Sequence, residues 1–193
     1  MGLNLVTPPA EEPVTLAEAK TQVRRDDSDD DTYLTTLTAV VRRSAEHFTR
    51  HVFVTQTWNF FADGFPARAD RFLELPLPPL ISVGSIKYTD TDGAVQTWDA
   101  SKYVVDTRAE RGRILPAWGE VWPSTRQVMN AVEIRFDAGY GDAADVPEDV
   151  KQGMMMFLGH LYEHRESVII GTIVAQLPQA VQNLLGPYRS VRF

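Results

Sequence analysis

His160, Glu163 and His164 stand in the order H-x-x-E-H, the residue types and spacing of a zinc peptidase helix. Residues four apart share one helix face, so two imidazoles could grip a metal with a glutamate beside them. The pattern is short, however, and the sequence identifies no third carboxylate ligand. His164 also falls at the edge of an apolar stripe, where histidine ordinarily marks a core margin. His47 and His51 repeat the spacing without a glutamate between them, near the end of a helix whose dipole would favour a protonated imidazole. Gly139-Tyr140-Gly141-Asp142-Ala143-Ala144 imitates the dinucleotide fingerprint G-x-G-x-x-A. The next helix is expected only from Pro147, too late for these glycines to set a phosphate on its N-terminus, and Asp142 and Asp145 would repel one. A turn is the better reading. Asp26, Asp27, Asp29, Asp30 and Asp31 lack the glycine and closing glutamate of a calcium loop. They are expected to form a solvated loop whose last aspartates cap the following helix. With no cysteine, no P-loop and no nucleophile elbow, the sequence gives catalysis no support. No cofactor and no metal are expected. A zinc-dependent hydrolase centred on His160, Glu163 and His164 stays as the alternative.

The elements that carry these residues are legible from periodicity. Residues 145–167 read as the longest helix, with Pro147 in its first turn and Glu148 and Asp149 favouring its positive end. Val150, Met154, Phe157, Leu158 and Leu161 recur at helical spacing. Met155 and Met156 fall away from that face, and Gly153 and Gly159 leave flat places for close approach. A helix apolar on more than one side needs more than one neighbour. Thr15 followed by Glu18 makes a capping box for a short helix, LAEAKTQV. A second helix, over 32–51, lines up Leu34, Leu37, Val41, Ala45 and Phe48, with Arg42, Arg43 and Arg50 on the other face or near its end. It is a natural packing partner for the late helix. Residues 1–13 show no periodicity and read as an extended arm.

Between these helices the texture becomes that of strands. AVEIRFD is the cleanest, with Val132, Ile134 and Phe136 on one face and Glu133, Arg135 and Asp137 on the other. Thr91-Asp92-Gly93 signals a hairpin, and Pro76, Pro78 and Pro79 bar a central strand. Roughly six or seven short strands are expected, with Trp58, Trp98, Trp118 and Trp122 as core and rim packing. A final short helix, over 178–185, should end at Gly186. The fold class is α+β: a helical bundle core of the N-terminal helices and the late long helix, with an inserted small antiparallel β module. Its segments are 1–53 (arm and two helices), 54–138 (β module), 139–167 (long helix) and 168–193 (apolar segment, short helix and basic tail).

The net charge of −7 argues against a protein that coats DNA, since such binding is mostly phosphate neutralisation by Lys and Arg. It leaves room for one that DNA slides past. The N-terminus has neither the basic start nor the apolar stretch of a signal peptide. Residues 168–177 reach about half of the roughly 20 apolar residues of a membrane span. No membrane association is expected.

Four stretches in order resemble one family. PVTLAEAKTQVRRDDSDDDTYLTTLTAVVRRSAEHFTR is similar to the opening of the head–tail connector (adaptor) proteins of long-tailed double-stranded DNA phages and gene transfer agents. LPLPPLISVGSIKYTDTDG, FDAGYGDAADVPEDVKQGMMMFLGHLYEHRESV and LLGPYRSVRF resemble the same family. The resemblance implies a non-enzymatic subunit of the virion neck, made in the host cytoplasm. It implies a ring of about a dozen copies under the portal protein, extending the DNA channel and meeting the next neck or tail protein. The middle strands depart from the smaller members of the family. A stopper or tail-end protein is the neighbouring alternative. On this footing Tyr188, Arg189, Val191, Arg192 and Phe193 are expected to bind the portal, arginine and aromatics being favoured interface anchors. Met155, Met156, Gly159, Val168, Ile169 and Ile170 are expected at the subunit interface, the last three in an aliphatic stretch that would become ordered on assembly.

Overall fold

Alternation in AVEIRFD places β8 (Val132–Ala138) at the centre of a sheet, with Val132, Ile134, Phe136 and Ala138 all buried. The computed structural model describes residues 2–68, 71–164 and 177–190. Among them the fold is α+β, with four helices and two antiparallel sheets. The chain forms two compact units, one of Met1–Ala10 with Thr55–Tyr140 and the other of Glu11–Val54 with Gly141–Phe193.

In the first unit, β1 (Gly2–Thr7), β2 (Gln56–Ala62), β4 (Leu80–Thr89) and β5 (Val95–Trp98) join β8 in the order β1-β2-β8-β4-β5. Phe60 and Ile86 flank Ile134 on its two sides, so one face is a continuous apolar layer. The other face saturates its own polar groups. Thr57 Oγ1 and Ser82 Oγ donate to the two oxygens of Asp137 at 2.7 and 2.9 Å, and Asn59 Nδ2 donates to Glu133 at 3.0 Å. The hairpin between β4 and β5 turns at Gly93, whose φ of 93° only glycine adopts freely. A smaller sheet, ordered β3 (Leu73–Glu74), β7 (Arg113–Pro116), β6 (Tyr103–Asp106), lies at the β4–β5 end. Leu80 of β4 sits where a Cβ on Gly112 would be, and the rings of Trp98 and Tyr103 are 5.2 Å apart. Trp98 and Trp122 share a cluster with Phe65, closed by Trp122 Nε1 donating to the Arg71 carbonyl at 3.1 Å. The strands therefore form two sheets, and one of them takes in residues expected as an arm. Leu3 pairs with Phe60 and Leu5 with Trp58. What makes β1 a strand is the free edge of β2, which no local pattern reveals.

In the second unit, α1 (Leu16–Val23), α2 (Asp31–Thr49) and α4 (Gln179–Leu185) each pack on α3 (Glu148–Glu163). The capping box forms as read, with Thr15 Oγ1 accepting from Glu18 N and the Glu18 carboxylate accepting from Thr15 N. Val150, Met154, Phe157 and Leu158 are buried, each worth about 1.5–3 kcal/mol when fully removed from water. Gly153 admits Leu185 closely, whereas Gly159 has room for a Cβ beside Gln22. Three expectations need correction. At 19 residues α2 is longer than α3, at 16, within the described residues. Asp30 occupies the N-cap of α2 without a side-chain cap, because its carboxylate accepts from the Tyr162 hydroxyl. Arg42 is buried, drawn inward by two carboxylates. α4 ends at Gly186 as read, and that glycine keeps a right-handed helical conformation (φ −55°) and leads into a 3-10 turn over Gly186–Tyr188. No helix among the described residues is long and apolar enough to cross a membrane.

Candidate assembly surfaces

The H-x-x-E-H residues end α3. His160, Glu163 and His164 are all exposed, and the two imidazole rings lie 4.6 Å apart. His164 closes the helix, and its Nδ1 donates to the His160 carbonyl at 2.9 Å. Among the described residues no three His, Asp or Glu side chains are grouped to hold a metal. His47 lies in the last turn of α2, as read. Gly139 and Gly141 make a turn at φ 136° and 135°, with Asp145 filling the space beside Gly141. None of these groups converges on a reacting position. The geometry is that of helix ends and turns.

The expected interface residues separate. Met156 and Gly159 open together onto a groove of about 720 Å³ in the helical unit. Gln22, Arg24, His160 and Val181 complete much of its wall. Met155 is half-buried and does not line it. Val168, Ile169 and Ile170 lie outside the described residues.

The basic tail is docked as far as it is described. Burial, then the negative Asp149 that its hydroxyl meets in a hydrogen bond, hold the Tyr188 phenol above its ordinary pKa. Arg189 lies over the Phe48 ring at 5.3 Å, and the buried Ser190 donates its N–H to the Thr49 carbonyl at 2.9 Å. Ser190 is thus tied to the end of α2. Val191, Arg192 and Phe193 lie outside the described residues.

One surface was not read from the sequence. Trp98 and Trp122 are buried as expected, but Trp118 is fully exposed, at 103%. It rims a hollow of about 680 Å³ on the smaller sheet, with Phe72, Val104 and Leu115 as its other large apolar residues. Arg113 stands over the Phe72 ring at 5.1 Å and pairs with Asp106, and the exposed Glu120 leaves the hollow one negative charge. An indole and three aliphatic or aromatic side chains left in water together are a contact surface in search of a partner. The only sequence signal was Trp118 beside Gly119, outside any alternating run.

No family model matches the chain, and no curated protein matches it. Three solved structures share its fold over nearly their whole length. A chain of the "Neck of empty GTA particle computed with C6 symmetry" is 23% identical, covering 100% of this chain and 97% of that one, at a TM-score of 0.80. A chain of the "Virion of native gene transfer agent (GTA) particle" gives the same identity, coverage and TM-score. A chain of the "Neck of native GTA particle computed with C12 symmetry" is 22% identical with the same coverage, at 0.73.

Proposed function

We propose that this chain is a structural neck subunit of a phage-like particle, a head–tail connector (adaptor) that forms a ring under the portal. The observation that carries the proposal is the whole-chain likeness to chains of gene transfer agent necks, at a TM-score of 0.80. The four sequence stretches that resemble the adaptor family support it independently. In this reading the helical unit, as the bundle core, carries ring contacts through Met155, Met156 and Gly159 together with Val168, Ile169 and Ile170. Tyr188, Arg189, Val191, Arg192 and Phe193 reach the portal, starting from the anchor at Thr49. Contacts of this head-to-tail kind repeat until the rotation closes, which suits the C6 and C12 symmetry of the neighbouring structures. The ring extends the DNA channel, and an acidic subunit with net charge −7 lets the duplex pass without holding it. It acts by fit, with no catalytic step, in the neck of the particle after synthesis in the host cytoplasm.

Mass measurement of the purified chain alone and after mixing with portal tests this directly. A defined ring on the portal is the expected result. A chain that stays monomeric with portal at every concentration, and enters no particle, overturns it. The likeness also accommodates a stopper or tail-end neck protein. Capture by tail protein in place of portal would favour that role.

A further inference from the structure

The sheet unit carries two exposed apolar surfaces at its opposite ends. At one end, β1 is the edge of the five-stranded sheet, with every residue of Gly2–Thr7 exposed and none of them charged. Leu3, Leu5 and Val6 are 43%, 40% and 38% exposed. Sheet edges are ordinarily blunted by charge, proline or bulging, because their unpaired N–H and C=O groups recruit other strands. Here the bulge comes only between Leu5 and Thr7, and the prolines follow the strand. At the β4–β5 end lies the hollow of Trp118, Val104, Leu115 and Phe72, on the smaller sheet that meets β4 at Leu80 and β5 at Trp98. β1 is three strands from β4 and four from β5, about 14 and 19 Å at about 4.8 Å per spacing, so one chain's β1 does not lie against its own hollow.

We infer that in the assembled ring β1 of one copy packs into the Trp118 hollow of the next, a second contact between neighbours made by the sheet unit. The inference rests on the ring reading above. Two points commit the occupant to a second copy. An uncharged strand brings no charge of its own to a hollow where Arg113 is already paired with Asp106 and Glu120 is exposed to solvent. Pairing β1 with its own equivalent would build a twofold dimer and stop there, whereas distinct patches at opposite ends of one unit repeat in a single direction and close as a ring. Trp118 is then the central anchor, desolvated only on assembly.

The chain has no cysteine, so paired substitutions give an unambiguous cross-link. Rings of a Leu5→Cys, Val104→Cys chain assembled on portal and treated with a short bis-maleimide should run as a ladder of covalent oligomers up to the closed ring. Either single substitution should give none. Trp118→Ala should leave the melting temperature unchanged, since the side chain is fully exposed, and lower the ring fraction about tenfold or more. Normal rings that stay uncross-linked overturn the contact and leave the neck reading standing. No ring from the unsubstituted chain with portal overturns both. Should the cysteine chain alone fail to form rings, Trp118→Ala decides: a tenfold loss upholds the contact and an unchanged ring fraction removes it.

Discussion

Replacing Arg42 with methionine should unfasten the helical unit, because this buried cation holds three segments together. Its Nε and Nη2 donate to the two oxygens of Glu12 at 2.7 and 3.3 Å, and its Nη1 donates to Glu46 at 2.7 Å. Glu46 uses its other oxygen to accept the Phe53 N–H at 3.1 Å, so the network spans the approach to α1, α2 itself and the chain that follows it. Burial works against the guanidinium charge, yet its hydrogen bonds to Glu12 and the attraction of Glu46 hold its pKa above the ordinary value. Arg42→Met keeps the apolar stem and removes the cation, leaving Glu46 (13% exposed) and Glu12 (26% exposed) facing each other. Breaking a buried ion network by removing one partner costs about 3–5 kcal/mol. Partial hydration of Glu12 points to the lower end, about 3 kcal/mol. At about 4 °C per kcal/mol for a unit of this size, the melting temperature should fall by about 12 °C. Scanning calorimetry would read the fall, and hydrogen exchange at α2 amides would assign it to this unit. Arg42→Lys should lie between, since an ammonium cannot fork to Glu12 and reach Glu46 together. A fall below about 4 °C for Arg42→Met would refute the claim that buried charge pairing, and not apolar packing alone, closes this unit.

Thr15→Ala should cost about 1 kcal/mol at pH 7 by opening the capping box. Hydrogen bonds from the Thr15 hydroxyl, then its backbone N–H, hold the Glu18 pKa below its ordinary value. A depressed folded pKa means this contribution is complete above the unfolded pKa and lost as pH falls through the folded one. The variant's deficit in urea melts should therefore shrink below about pH 4. Gly112→Ala would drive a Cβ into Leu80 Cδ2 and Cβ, so overpacking should destabilise the sheet unit by about 1–3 kcal/mol. Near-ultraviolet circular dichroism of the Trp98–Trp122 cluster would follow that loss. Removing residues 191–193 leaves the bond from Ser190 to Thr49 in place. The truncated chain should melt as before and fail to co-sediment with portal; normal co-sedimentation would take the tail out of the portal contact.

What could be read along the chain was whatever neighbours in sequence decide among themselves. Val132, Ile134 and Phe136 announced a strand with one buried face, Thr15 and Glu18 announced a capped helix, and Gly93 announced its turn, each over a few residues. Gly153 was rightly read as a place of close approach, though not what approaches it, whereas a Cβ at Gly159 would make only ordinary contact with Gln22. The burial of Arg42 depends on Glu12, which is 30 residues away, and the Asp30 carboxylate is claimed by Tyr162, 132 residues away. Gly2–Thr7 becomes a strand because β2 has an edge to fill, and Trp118 stays in water while Trp98 and Trp122 are enclosed by rings from distant positions. Local periodicity determines which elements form and which faces are apolar. Only tertiary packing decides which charges find partners, which edges remain open and which apolar surfaces are left uncovered, because those outcomes are set by residues far apart in the chain.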